Sequence, residues 1–223
     1  MSTGYFEAPP RRGEPVEKEV VVLSTDPVHI RSASRADARR NRDSILKTAA
    51  RHFASRGVNA SLDEIAREAG VGPGTLYRHF PSREALLAAT LMDKQAEVLA
   101  NADAARKIAS SEEALATWLR ALQDYLCTYD GLPTPVLAAI KEDASLLALS
   151  CEKLITLTGE FLSRAQQEGR ARPAIKPDDL FLTVLGVAWV INRAKVDGKQ
   201  KDALEAIIAN GYRQLQPPTG ETK

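Results

Sequence analysis

The sequence predicts an all-α protein, and three observations support this. From residue 37 to residue 216 apolar side chains recur at spacings of three and four, the period of a helix with one buried stripe. Hydrophobic residues make up 44% of the chain but aromatics only 5%, which suits a core of Ala and Leu and the helices these residues favour. Between the periodic stretches stand Ser, Asp, Pro and Gly in the order that starts and stops helices. About nine helices fit. They divide into a three-helix head at 37–91 and a helical body at 92–216, with a flexible basic arm at 1–36 and a loose tail at 217–223. A chain of 223 residues has room for two such domains.

The arm contains Pro9, Pro10, Pro15 and Pro27 with scattered charge, and cannot build a core. Its one β-prone piece, Val20, Val21, Val22 and Leu23, is too short for a domain. Arg31, Arg35, Arg39, Arg40 and Arg42 then lead into the first helix, either as a solvated leader or as an arm for phosphate and a minor groove. That helix is predicted over 37–56, with Ile45, Ala49, His52 and Phe53 inward and Gly57 as its stop. His52 reads as a packed helix residue.

Residues 61–80, SLDEIAREAGVGPGTLYRHF, read as two short helices and a tight turn. Ser61 and Glu64 have the spacing of a capping box, and Leu62, Ile65, Ala66 and Ala69 form one stripe. Gly70 ends the first helix, and Pro73 stands at the first position of the second, where its missing N–H is harmless. At about 1.5 Å per residue the second helix is only about 10 Å long, too short to persist alone in water. Leu76 and Phe80 face the first helix, which leaves Pro73, Gly74, Thr75, Tyr77, Arg78 and His79 outward or sideways. A braced stub presenting hydrogen-bonding side chains is a helix-turn-helix reading head.

Here the chain resembles the TetR/AcrR-type regulators. The likeness runs over 37–91 through ILKTAARHFASRG, SLDEIAREAGV and TLYRHFPSREALL. It implies that Tyr77 and His79 bind phosphates, that Thr75 touches a base edge or thymine methyl, and that Gly74 lets the backbone approach the groove. It also implies that Arg78 reads guanine or follows the backbone, that Arg83 meets phosphate at the start of the fourth helix, and that Ser61 heads amides aimed at phosphate. Tyr77 and His79 also suit a packing role. Gly72, Pro73 and Gly74 depart from the family pattern in carrying no side-chain donor.

The fourth helix is predicted to start at Ser82 and to run unbroken through Leu86, Leu87, Leu91, Met92, Val98 and Leu99, linking head to body. A fifth follows Ser110 or Ser111, and 130–133, Asp-Gly-Leu-Pro, breaks it. The sixth opens at Thr134 and Pro135 and reaches Asp143, the seventh ends at Gly169, the eighth starts at Pro177 and the ninth near Lys199. The last two are apolar nearly all round, so each needs cover on more than one side. That cover is either the protomer itself or a second copy, and the resemblance implies a homodimer in which Phe181, Val184, Leu185, Ala188, Leu204, Ile207 and Ile208 meet their symmetry mates. Met92, Trp118, Tyr125, Tyr129, Phe161 and Trp189 are candidates for an apolar pocket holding an unidentified small-molecule effector, or else are core.

Net charge is +1 for the whole chain, yet residues 31–83 carry eleven Lys/Arg against five Asp/Glu. Such asymmetry marks one domain that meets phosphate and one that does not. The chain has no G-x-S-x-G, H-E-x-x-H, Walker or G-x-G-x-x-G pattern, so no enzyme, metal or cofactor is expected. Glu142, Asp143 and Glu152 read as solvated helix faces, and Cys127 and Cys151 as small hydrophobes. With no apolar run of membrane length and no signal pattern, a cytoplasmic protein is expected. The function expected is a sequence-specific, operator-binding regulator, most simply a repressor released by its effector. The alternatives are a non-specific architectural DNA-binding protein and a helical small-molecule enzyme.

Overall fold

The computed structural model describes residues 27–141 and 146–214. The arm before residue 27, with its Val20 to Leu23 run, the tail at 217–223, and Glu142 and Asp143 lie outside the described residues. Among the described residues, 38–141 and 146–214 belong to one compact unit, and 27–37 are grouped apart from it. Ten helices occur among the described residues: α1 Pro27–Arg56, α2 Leu62–Glu68, α3 Pro73–His79, α4 Arg83–Thr90, α5 Met92–Arg106, α6 Ser111–Leu126, α7 Pro133–Ala139, α8 Leu146–Gln167, α9 Pro177–Ala194 and α10 Gly198–Tyr212.

Two boundaries differ from expectation. Helix α1 begins at Pro27, ten residues before the predicted start, because residues 28–36 contain no Gly or Pro to break it. The single helix expected after Ser82 is two, α4 and α5, interrupted at Leu91. Leu91 is 2% exposed, and its N–H is shared among the Leu87, Ala88 and Ala89 carbonyls, while the Thr90 hydroxyl donates back to Leu87 O (2.8 Å). Hydroxyl back-bonding of this kind bends helices. Leu86 and Leu87 of α4 are buried, as are Val98, Ala102 and Ala105 of α5, and on either side of the bend α4 packs on α8 and α5 on α6.

In the body α6 packs against α5, α8 and α9. Trp118 at its middle is fully buried, stacks on Phe161 of α8 at 5.6 Å, and donates its Nε1–H to Thr158 Oγ1 (3.0 Å). The Thr158 hydroxyl donates in turn to Leu154 O (2.8 Å), so the buried indole and hydroxyl are both satisfied. The buried apolar residues from Ile45 to Tyr212 form one continuous cluster. The head therefore shares its core with the body.

Candidate nucleic-acid interface

The head is built on α1. Its Ile45, Ala49 and Phe53 are fully buried, as their four-residue spacing dictates, and α2 and α3 close over them with Ile65, Ala66, Leu76 and Phe80. Polar contacts fix the angle. Ser44 Oγ donates to Ala69 O (3.0 Å) at the end of α2, while His52 Nε2 (2.6 Å) and Arg51 Nη2 (2.9 Å) lie on the Glu68 carboxylate. The His52 bond first, and the Arg51 charge with it, hold the Glu68 carboxyl below the usual carboxylate range. Arg42, read from sequence as part of a basic leader, sits over the Phe80 ring at 5.3 Å.

The start of α2 is half of the expected capping box. Ser61 Oγ accepts the Glu64 N–H (3.3 Å), but the Glu64 carboxylate is engaged by Arg56. Gly70, at φ +73, makes the turn, and Gly72 and Pro73 open α3. On α3, Leu76 is 1% exposed and Tyr77 48%, which separates the packed face from the presented one. Pro73, Gly74, Tyr77 and Arg78 are exposed, Thr75 and His79 half-buried, and a Cβ placed on Gly74 would meet nothing within 4 Å. Ser61, Arg39 and Arg40 are also exposed. Arg83 is half-buried, and its Nη1 donates to the carbonyls of Val58 (2.9 Å) and Ala60 (2.6 Å).

In the body, the six aromatic and Met candidates do not converge. Trp118, Tyr129 and Phe161 pack in the core, whereas Met92 is 63% exposed and Trp189 48%. Tyr125 borders a cleft of about 110 Å³, and burial raises its phenol above the ordinary range. A larger cavity of about 400 Å³ lies between α6, α9 and α10, lined by Leu119, Arg120, Gln123, Glu205 and Tyr212 among others. Burial pushes the Cys127 and Cys151 thiols up to about 11, which leaves both weakly nucleophilic. Of the residues expected at a dimer contact, Phe181, Val184, Leu185, Ala188 and Ile208 are buried in the protomer's own core and Leu204 is half-buried, while Ile207 is exposed. The apolar side chains that α9 does present are Leu182, Trp189 and Val190. Among the described residues no helix is long and apolar enough to cross a membrane.

A three-helix head that pushes a short, donor-bearing helix outward, fused to an all-helical body, defines a helix-turn-helix regulator. Residues 45–90 match the family model for bacterial regulatory proteins of the tetR family, and residues 110–214 match that for the SbtR-like transcriptional regulator C-terminal domain. A TetR transcriptional regulator of Streptomyces coelicolor is 31% identical with a TM-score of 0.53, over 78% of this chain and 99% of that one. The HTH-type transcriptional regulator UidR of Escherichia coli K12 is 26% identical over 80% of this chain and 92% of its own. The ketosteroid transcriptional regulator KstR2 of Mycobacterium tuberculosis, 21% identical with a TM-score of 0.56 over 78% of this chain and 95% of that one, shares the fold. The chain belongs to the TetR family. It is a sequence-specific DNA-binding transcriptional regulator.

Proposed function

We propose that two copies of this chain bind a palindromic operator, each laying α3 in a major groove, and that a small molecule in the body releases them. The observation that carries this reading is the division of α3 into a buried Leu76 and an exposed Tyr77 and Arg78, which leaves its outward face free for a groove. Thr75 and Arg78 supply base contacts, while Tyr77, His79 and the amides after Ser61 hold phosphate. Pro73 and Gly74 keep the start of α3 slim enough to approach the groove floor. Arg39 and Arg40 of α1 add positive charge on the approach. The reading places the protein in the cytoplasm, with the DNA.

Dimerisation uses the outward apolar residues of the last two helices, Leu182, Trp189 and Val190 on α9 and Ile207 on α10, continued by the half-buried Leu204. Those four exposed residues would sit in water on a lone protomer. A twofold pair spaces its two reading helices about 34–36 Å apart, one turn of DNA. The effector must bind the non-operator spacing more tightly than the operator spacing, or it shifts nothing. The cavity of about 400 Å³ between α6, α9 and α10 supports this reading, because an effector there would touch both helices proposed to pair.

The test is selection of duplexes from a randomised pool by the full chain, followed by affinity against salt. An inverted repeat and a fall in affinity of about 10³–10⁵ between about 50 and 200 mM salt are expected. The absence of side-chain donors at Gly72, Pro73 and Gly74 favours one rival, a non-specific architectural role. Equal binding to the selected and a scrambled duplex at the same salt would establish that rival instead.

A further inference from the structure

The loop of residues 57–60 joins α1 to α2, so its position sets where α2, and α3 braced upon it, come to lie. Two groups grip that loop from different parts of the chain. In the turn between α6 and α7 the Asp130 carbonyl accepts the Val58 N–H (2.9 Å). At the first residue of α4, Arg83 Nη1 donates to both the Val58 and the Ala60 carbonyl (2.9 and 2.6 Å). Val58 thus has its amide committed to the body and its carbonyl committed to α4.

This close approach of two backbones depends on glycine. Gly57 and Gly131 lie at φ +75 and +79. A Cβ on Gly57 would stand 2.7 Å from Asp130 O, and one on Gly131 would stand 3.1 Å from Val58 Cγ2. The turn is itself held in place. Tyr129 packs its ring on Phe53 of α1 at 5.8 Å, and Asn192 Nδ2, from α9, donates to Tyr129 O (3.2 Å). A path of direct contacts therefore runs from α9 through the α6–α7 turn to the loop that carries the reading helices.

An Nη1 that donates to two carbonyls has spent both its protons and ties the guanidinium to the 57–60 loop, leaving only the Nε and Nη2 edge for any other partner. We infer that Arg83 is a positioning residue of the reading head: with the α6–α7 turn it clamps the 57–60 loop and so sets the angle at which α3 enters DNA. This rests on the reading that α3 meets DNA, which the wild-type chain tests independently by selecting a duplex.

The experiment compares wild type, Arg83→Met, Gly131→Ala and the double variant on the duplex selected by wild type. Each is first shown to be folded at the assay temperature by circular dichroism and thermal melting. Both single variants are expected to bind about tenfold more weakly, and the double variant less weakly than the product of the two, because they act on one loop. Both are also expected to lose discrimination against duplexes whose half-sites are moved apart by one base pair, a property that loss of stability alone leaves intact. The slope of log affinity against log salt should stay within about 0.3 of wild type for Arg83→Met. A slope smaller by about 0.9 identifies a lost phosphate contact and overturns the inference. Wild-type affinity in either folded single variant, or retained spacing preference, overturns it as well. Should Arg83→Met not fold, Arg83→Gln gives the same slope readout. Should Gly131→Ala not fold, Asn192→Ala loosens the turn instead, and unchanged binding by it counts against the inference.

Discussion

Tyr77 and Leu76 are neighbours in the chain and opposites in environment, 48% and 1% exposed. That contrast follows from helical geometry, which turns successive side chains by about 100° and leaves one inside and one out. Replacing Tyr77 by Ala removes a neutral hydrogen-bond donor from the outward face. The proposed role predicts roughly tenfold weaker binding to the selected and the scrambled duplex alike, measured by fluorescence anisotropy, on the scale of about 1.5 kcal/mol for a bond to a charged phosphate. A loss confined to the selected duplex would move Tyr77 from phosphate to base. Trp118 stands at the other extreme, with no exposure, an aromatic partner in Phe161 and a satisfied indole N–H. Trp118→Ala should lower stability by about 3–5 kcal/mol, read by urea unfolding, through lost burial and the cavity left behind. An effector-site role alone would leave stability nearly unchanged.

At the scale of elements, α1 and α2 are joined by charge as well as by packing. Because His52 and Arg51 hold the Glu68 carboxyl below its ordinary value, the folded state binds that proton less readily than the unfolded chain. The contribution is therefore present above the ordinary carboxylate range and lost as pH falls through the depressed value. Thermal melts of wild type and Glu68→Gln should differ at neutral pH and converge once the pH has fallen below the depressed Glu68 value; a difference that persists in acid would show that packing, not ionisation, is responsible. The α4–α5 pair shows a different kind of control. Its apolar pattern reads as one helix, and the interruption at Leu91 falls where the Thr90 hydroxyl bonds back to Leu87 O and the Leu91 N–H is shared among three carbonyls. Thr90, a poorer helix former among Ala and Leu, inserts its hydroxyl into the ladder and so sets where the bend falls.

For the molecule as a whole, the question is which apolar surface remains once the protomer has folded. Phe181, Val184, Leu185 and Ala188 are consumed internally, and Leu182, Trp189, Val190 and Ile207 are left outward. Ile207→Glu places a charge on that remaining face without entering the core. The proposed pairing predicts a shift from dimer to monomer in analytical ultracentrifugation and loss of most operator affinity, with the thermal midpoint of the protomer's own fold largely retained. A dimer that survives both Ile207→Glu and Trp189→Glu would place the twofold contact elsewhere. The same comparison separates what is local from what is not. Residues three or four apart carry the helices, the Ser61 and Ser82 caps, the Gly70 and Gly72 turn and the outward face of α3, so these were legible in the chain. The place of Arg83 at a helix start suggests a phosphate ligand, whereas the bonds of its Nη1 to carbonyls 23 and 25 residues away have no local signature. The outward side of α9 was equally hidden, because a helix apolar on most of its circumference does not say which stripe its own protomer will take. Short-range hydrogen bonding and periodicity write the elements into the sequence, whereas the partner of a long side chain, and the face left to water, are set by surfaces that meet only when the chain has folded.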